Sequence, residues 1–465
     1  MEKGIRRLHV EYRSIDMVNK AKQKAAQHLA VMAYKSIQEH PEEGLPKLLK
    51  LIDVLDTKDS YKAGRDFVRQ ILADPSNPWY HYMLSIWEDL DSEVRYAFFQ
   101  SFFLNSVLKG KEEQRILREE HQCNLPWAIL VDPTTSCNLS CTGCWAAEYE
   151  KGIYLSYETL DALVKEGKSL GTYMYLFSGG EPLMRKRDII ALCEAHPDCY
   201  FLAFTNGTLI DEAFASEMLR VKNFAVAISI EGDEAATDAR RGAGTYAKAI
   251  NAMAILKRNK LLYGISCCYT SQNVETIGSE AFIDSMVDMG AKFAWFFTYI
   301  PIGKDAVPSL MVSAEQRAFM YRQVRAFRKT KPIFTMDFWN DGEFVNGCIA
   351  GGRCYLHINA QGDIEPCAFV HYSDSNIYTS SLLEAYKRPL FQQYKEQQPF
   401  NQNLLRPCPL LDNPERLRQM VHASGAISTD LASLESVDDL TGRCEQASKN
   451  WAVLAEQLWE PHAKS

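Results

Sequence analysis

The stretch WAILVDPTTSCNLSCTGCW (127–145) joins an apolar run of strand length to a loop holding three cysteines, Cys137, Cys141 and Cys144. WAILVD is short, apolar and rich in residues that suit a pleated, buried strand. The cysteines follow it directly. Three thiolates in so tight a loop point to a metal centre, yet a closed zinc site takes four protein ligands. Trp145 comes next, and the next histidine is His196. The fourth place is therefore left for a ligand from outside the loop. Three thiolates suit three irons of a 4Fe–4S cubane, with the fourth iron open.

Working outward, the rhythm of WAILVD repeats. YMYLFSGGE, YFLAFTNGT, FAVAISIEG, LLYGISCCYT and FAWFFTYIP are short apolar runs separated by helical patterns such as SYETLDALVKEGKSLG and TYAKAINAMAILKRNK. Ser156 is placed to cap one helix and Gly171 to stop it. Strands that alternate with helices predict parallel βα units with right-handed crossovers. The expected fold is α/β, a partial (β/α)6 TIM-like barrel over residues 123–325. In such folds the site lies at the carboxyl ends of the strands. The cysteine loop ends the first strand, SGGEP the second, TNG the third and SIEG the fourth. Four motif-bearing ends share one edge.

The flanks differ. Residues 1–122 predict a helical domain, with AAQHLAVMAYKSIQ, LPKLLKLIDVL, AGRDFVRQILA and SEVRYAFFQSFFLNSVL apolar at three- and four-residue spacing. Phe98, Phe99, Phe102 and Phe103 give the last of these an aromatic side, read as core, with a pocket wall or lipid contact as the other option. Residues 326–465 predict a small cysteine-rich α+β domain with a helical tail. There YLHINAQGDIEP alternates about a turn at 359–362, as a β-hairpin does. Cys348 and Cys354 precede it, Cys367 follows, and Cys408 lies in RPCPLL.

The chain has 13 cysteines, which in a long chain without a signal peptide argues for metal or redox use over a disulfide framework. Cys193, Cys199, Cys267 and Cys268 sit in apolar runs and read as small buried hydrophobes. A net charge of −8 disfavours a general nucleic-acid binder. The charged start MEKGIRRLHVEYR has no apolar h-region, and no apolar run has membrane length, so a cytoplasmic protein is expected.

Cys137-x3-Cys141-x2-Cys144 followed by an aromatic residue resembles the signature of radical S-adenosylmethionine (radical SAM) enzymes. The resemblance covers about 126–300. It implies a 4Fe–4S cluster on the three cysteines, with S-adenosylmethionine chelating the open iron. Ser178, Gly179, Gly180 and Glu181 resemble the motif that holds the cofactor's amino group. Two glycines allow close backbone approach, and a carboxylate suits an ammonium. The resemblance further implies Ser229 and Glu231 near the ribose, Arg241 at the cofactor carboxylate, Asn206 as a cofactor contact and Trp145 near the adenine. The alternatives are strand-end solvation for Ser229 and Glu231, surface charge for Arg241, a turn for Asn206 and packing under the loop for Trp145. Cys348-x13-Gly362-x4-Cys367 is similar to the opening of SPASM or twitch auxiliary-cluster domains. The later short-spaced cysteines of a full SPASM set are absent, which implies one auxiliary 4Fe–4S cluster on Cys348, Cys354, Cys367 and Cys408. A degenerate or zinc-binding domain is the alternative.

The implied chemistry is reductive cleavage of S-adenosylmethionine to a 5′-deoxyadenosyl radical that abstracts hydrogen from substrate, with electrons from a flavodoxin- or ferredoxin-like donor. The sequence names no catalytic substrate contact. A small molecule or lipid is favoured, because the winged-helix leader-binding module of peptide modifiers is not evident. A peptide-modifying maturase, or a non-catalytic iron–sulfur or zinc protein, remains the alternative.

Overall fold

The computed structural model describes residues 34, 37, 41–55, 62–146, 152–303, 306–430 and 434–459. It divides into two compact units, Met1–Glu88 and Asp89–Ser465. The first contains the helices Pro41–Leu55 and Lys62–Ala73. The expected helix in AAQHLAVMAYKSIQ lies outside the described residues except for Tyr34 and Ile37. Residues 89–122, grouped by sequence pattern with the N-terminal helices, fall in the second unit.

The second unit is built on one sheet of nine strands. These are β1 (Ala128–Val131), β2 (Met174–Phe177), β3 (Tyr200–Thr205), β4 (Phe224–Ser229), β5 (Tyr263–Tyr269), β6 (Phe293–Thr298), β7 (Phe334–Asp337), β8 (Tyr355–Ile358) and β9 (Ile364–Glu365). Their order is β7-β6-β5-β4-β3-β2-β1-β8-β9. Every pair from β7 to β1 is parallel, as is β1 with β8, and β9 turns back antiparallel on β8. The six expected strands are β1–β6, in the α/β partial-barrel arrangement. Ser156 accepts from Thr159 N at 3.2 Å and starts the helix Tyr157–Ser169. Gly171, with φ +82°, lies just past its end.

Two features depart from the expectation. β7 adds a seventh parallel strand, reached through the helix Ala314–Thr330. Its buried positions are Thr335 and Asp337 and its more exposed ones Phe334 and Met336, so the usual sense of the alternation is reversed. The expected hairpin is present as β8–β9, but it joins the barrel sheet through β1, with Ala128 opposite Tyr355 and Val131 opposite Ile358. Cys354 and Cys367 thus flank an extension of the barrel sheet itself.

β6 shows what the barrel interior is like. Ala294, Phe296 and Thr298 are buried, while Phe293, Trp295 and Phe297 are half-buried. Side chains alternate across a strand. Trp295 and Phe297 line a cavity. The aromatic helix is also specific. After Ser92–Ala97 the chain takes a π-helix, Phe98–Gly110, before the α-helix Lys111–His121. Phe98 and Phe102 stack at 4.7 Å and both meet Tyr200 edge-on, while Phe102 also meets Trp127.

Candidate active site

The loop after β1 carries Cys137, Cys141 and Cys144 along the wall of a cavity of about 690 Å³. Trp145, Ser178, Gly179, Gly180, Glu181, Asn206, Ser229 and Arg241 line the same cavity. Of the expected cofactor contacts, only Glu231 does not. The loop is fixed by backbone contact with the end of β2. Gly180 N donates to Thr134 O at 3.0 Å and Glu181 N to Ser136 O at 2.8 Å. A Cβ on Gly180 would stand 2.2 Å from Ser136 O, and one on Gly179, whose φ is +95°, 2.7 Å from Thr134 O. Only glycine admits this approach. Ser178 Oγ donates to Asp132 Oδ1 at 2.8 Å, tying the same two strand ends.

Glu181 is buried and accepts three hydrogen bonds: Leu183 N (2.9 Å) and Thr205 Oγ1 (2.7 Å) on Oε1, and Asn206 N (2.8 Å) on Oε2. Burial pushes its carboxyl up, opposed by these donors and by Arg241. A carboxylate has about four acceptor directions, so one on Oε2 is left for an ammonium. Asn206 Nδ2 donates to Asn138 Oδ1 at 2.9 Å, linking β3 to the cysteine loop.

Glu231, expected at the ribose, sits fully buried beneath two arginines. Its Oε1 takes Arg240 Nη1 at 2.7 Å and Arg241 Nη2 at 2.5 Å. Burial pushes its carboxyl up, but the two guanidiniums outweigh that and hold it below the usual range. Arg240, which the motif comparison passed over for Arg241, also lines the cavity. Its backbone and guanidinium both bond Thr142 in the cysteine loop. Burial pushes the Cys141 thiol up, and Arg241 and Arg240 pull it back. Trp145 stacks on His371 at 5.9 Å and meets His357 and Phe369 edge-on. This is the packing option weighed for it, although its side chain still reaches the cavity.

A buried charged group at this edge had no sequence signal. His357 on β8 lies 3.0 Å from Asp132 Oδ1 and 2.6 Å from Glu365 Oε2. Its partners come from the end of β1 and from β9, which only the sheet register brings together.

The C-terminal cysteines are divided. Cys348, Cys367 and Cys408 line a second cavity of about 150 Å³, whereas Cys354 lines the larger one. Among the described residues no three His, Cys, Asp or Glu converge on one point as a lone ion requires.

The first site fits an iron–sulfur cluster with a zwitterionic partner. It offers three thiols on one wall, a glycine pair that lets the cysteine loop pack against the end of β2, a carboxylate with a spare acceptor and two guanidiniums lining the same cavity, one of them bonded to the cysteine loop. Residues 131–278 match the radical SAM superfamily. The chain is similar to an AdoMet-dependent heme synthase of Nitratidesulfovibrio vulgaris, 24% identical over 58% of this chain and 82% of that one. It also resembles an Fe-coproporphyrin III synthase of Methanosarcina barkeri, 33% identical over 32% of this chain and 38% of that one. The Streptococcus suis SuiB structure bound to S-adenosylmethionine matches with TM-score 0.53 and 18% identity, over 65% of this chain and 76% of that one, a likeness of fold. Residues 131–278 thus form a radical SAM domain, and the chain is an enzyme with a 4Fe–4S cluster and S-adenosylmethionine as cofactors.

Proposed function

We propose that this enzyme abstracts hydrogen from a large, flat, mostly apolar ring system of tetrapyrrole type. The carrying observation is the wall of the 690 Å³ cavity. At the strand ends it is polar, with Ser178, Asn206, Ser229, Arg240 and Arg241; away from them it is formed by Trp127, Phe204, Trp295, Phe297, Phe338 and Phe369. A peptide backbone would bring an N–H and a C=O per residue against that aromatic wall without partners. Large aromatic side chains suit a ring system instead. Two relatives are named for heme and Fe-coproporphyrin synthesis, in line with this class.

Bound together, cluster and S-adenosylmethionine supply one-electron cleavage to a 5′-deoxyadenosyl radical. The chain's residues do the positioning. Cys137, Cys141 and Cys144 hold the cluster, Glu181 takes the cofactor ammonium, Arg240 and Arg241 take its carboxylate, and Ser229 lies at the same edge. The aromatic wall orients the substrate carbon and excludes water. We assign 123–325 as the catalytic domain and 326–465 as an auxiliary iron–sulfur domain, a flavodoxin- or ferredoxin-like protein as electron donor, and a cytoplasmic location. Among the described residues no helix is long and apolar enough to cross a membrane.

A relative from Granulibacter bethesdensis is named PqqA peptide cyclase, 25% identical over 52% of this chain and 67% of that one, which keeps a peptide substrate as the second reading. The two separate in anaerobically reconstituted enzyme with dithionite. Metalloporphyrins should shift their main absorbance band on binding and stimulate 5′-deoxyadenosine formation. Stimulation by peptides, with no porphyrin binding, would overturn the assignment.

A further inference from the structure

The auxiliary centre was expected on four cysteines, and the structure separates them. Cys348, Cys367 and Cys408 face one cavity of about 150 Å³, which Tyr394 and Trp339 help to line. Cys354 is held elsewhere. Its N–H donates to Ile349 O and its C=O accepts from Ala128 N, which fixes it at the start of β8 against β1. Its side chain reaches the 690 Å³ cavity. The next residue, Tyr355, is the one that meets the trio, with its hydroxyl 2.8 Å from Cys367 Sγ.

A second observation is independent of the thiols. Tyr394 is fully buried, its hydroxyl has no hydrogen-bond partner, and it lines the same cavity as Cys348, Cys367 and Cys408. Leaving a buried hydroxyl without a partner is unfavourable. It marks a place where something bound supplies an acceptor, and cluster sulfur is such an acceptor.

We propose that the C-terminal site is a three-thiolate iron–sulfur centre on Cys348, Cys367 and Cys408, with a fourth iron position not filled by cysteine and the Tyr394 hydroxyl donating to the cluster, while Cys354 belongs to the substrate cavity. This rests on the assignment of the C-terminal unit as an auxiliary iron–sulfur domain. Trp295, Met336, Phe338 and Phe369 are shared by both cavities, so the centre lies one layer of side chains from the substrate.

The test uses the full chain with Cys137, Cys141 and Cys144 changed to alanine, reconstituted without oxygen. This parent should hold about four irons. Adding Cys354→Ser should leave iron, sulfide and the electron paramagnetic resonance spectrum unchanged. Adding Cys367→Ala should remove the iron while circular dichroism shows a folded protein. Adding Tyr394→Phe should keep the iron and lower the reduction potential, because a lost hydrogen bond to sulfur disfavours the reduced cluster. Iron loss in Cys354→Ser equal to that in Cys367→Ala would overturn the ligand assignment. An unchanged potential in Tyr394→Phe would overturn the role of the hydroxyl. A folded parent without iron would overturn the auxiliary domain itself, a separate outcome.

Discussion

Glu181 follows β2 and Glu231 follows β4, and the two do different work. Glu181 keeps one acceptor direction toward the cavity after binding Leu183, Thr205 and Asn206. Glu181→Gln places an amide among those donors and removes the charge proposed to meet the cofactor ammonium. A charge-assisted bond of about 1.5–3 kcal/mol is lost. Calorimetry should show S-adenosylmethionine binding weakened about 10- to 150-fold, with cluster iron retained; wild-type affinity would contradict the role. Glu231 has no place at the cavity, and its motif did not reveal this. A glutamate after a strand looks the same whether it faces a ribose or two arginines from the following helix. Glu231→Gln breaks a fully buried pair and leaves Arg240 and Arg241 short of a countercharge. The expected loss is about 3–5 kcal/mol of stability, read by denaturant unfolding. A change below 1 kcal/mol would show that the arginines find another partner.

The elements legible from sequence are those with one physical signal along their length. β1–β5 are buried almost throughout, as strands covered on both faces are, and their apolar runs announced them. β7 was hidden because Thr335 and Asp337 take its buried side. The β8–β9 turn was legible from its alternation, but its attachment to β1 was not, since pairing partners far apart in the chain leave no local trace. His357 makes that attachment electrostatic. Burial lowers its pKa, but Asp132 and Glu365 outweigh this and raise it from 6.5 to about 10. A raised histidine pKa stabilises fully below the unfolded value and loses that contribution as pH climbs through the folded one. Thermal midpoints should therefore fall between about pH 6.5 and 10. His357→Gln should lower the midpoint at pH 6 and flatten the slope. A slope of undiminished size in the variant would place the titration on another group.

At the scale of the whole molecule, the incomplete barrel leaves room for the cofactor and for the proposed substrate. A closed eight-stranded barrel fills its interior with side chains. Here the sheet is not filled, and the half-buried face of β6 looks into about 690 Å³ of space continuous with the cysteine loop. The two functions of that space are separable, because the polar strand ends and the aromatic wall use different residues. Leu176 points into it from β2. Leu176→Trp adds bulk to open space, so the overpacking cost of about 1–3 kcal/mol seen in filled cores is not expected, and the thermal midpoint should stay near wild type. The three cysteines, Glu181 and the arginines are untouched, so cluster iron and S-adenosylmethionine affinity should be retained, as should slow cofactor cleavage without substrate. What should vanish is stimulation of 5′-deoxyadenosine formation by a ring-system substrate, together with its binding signal. Retained stimulation with a filled cavity would mean that substrate reaches the radical by another route. Loss of unstimulated cleavage as well would mean that the cofactor extends along the aromatic wall.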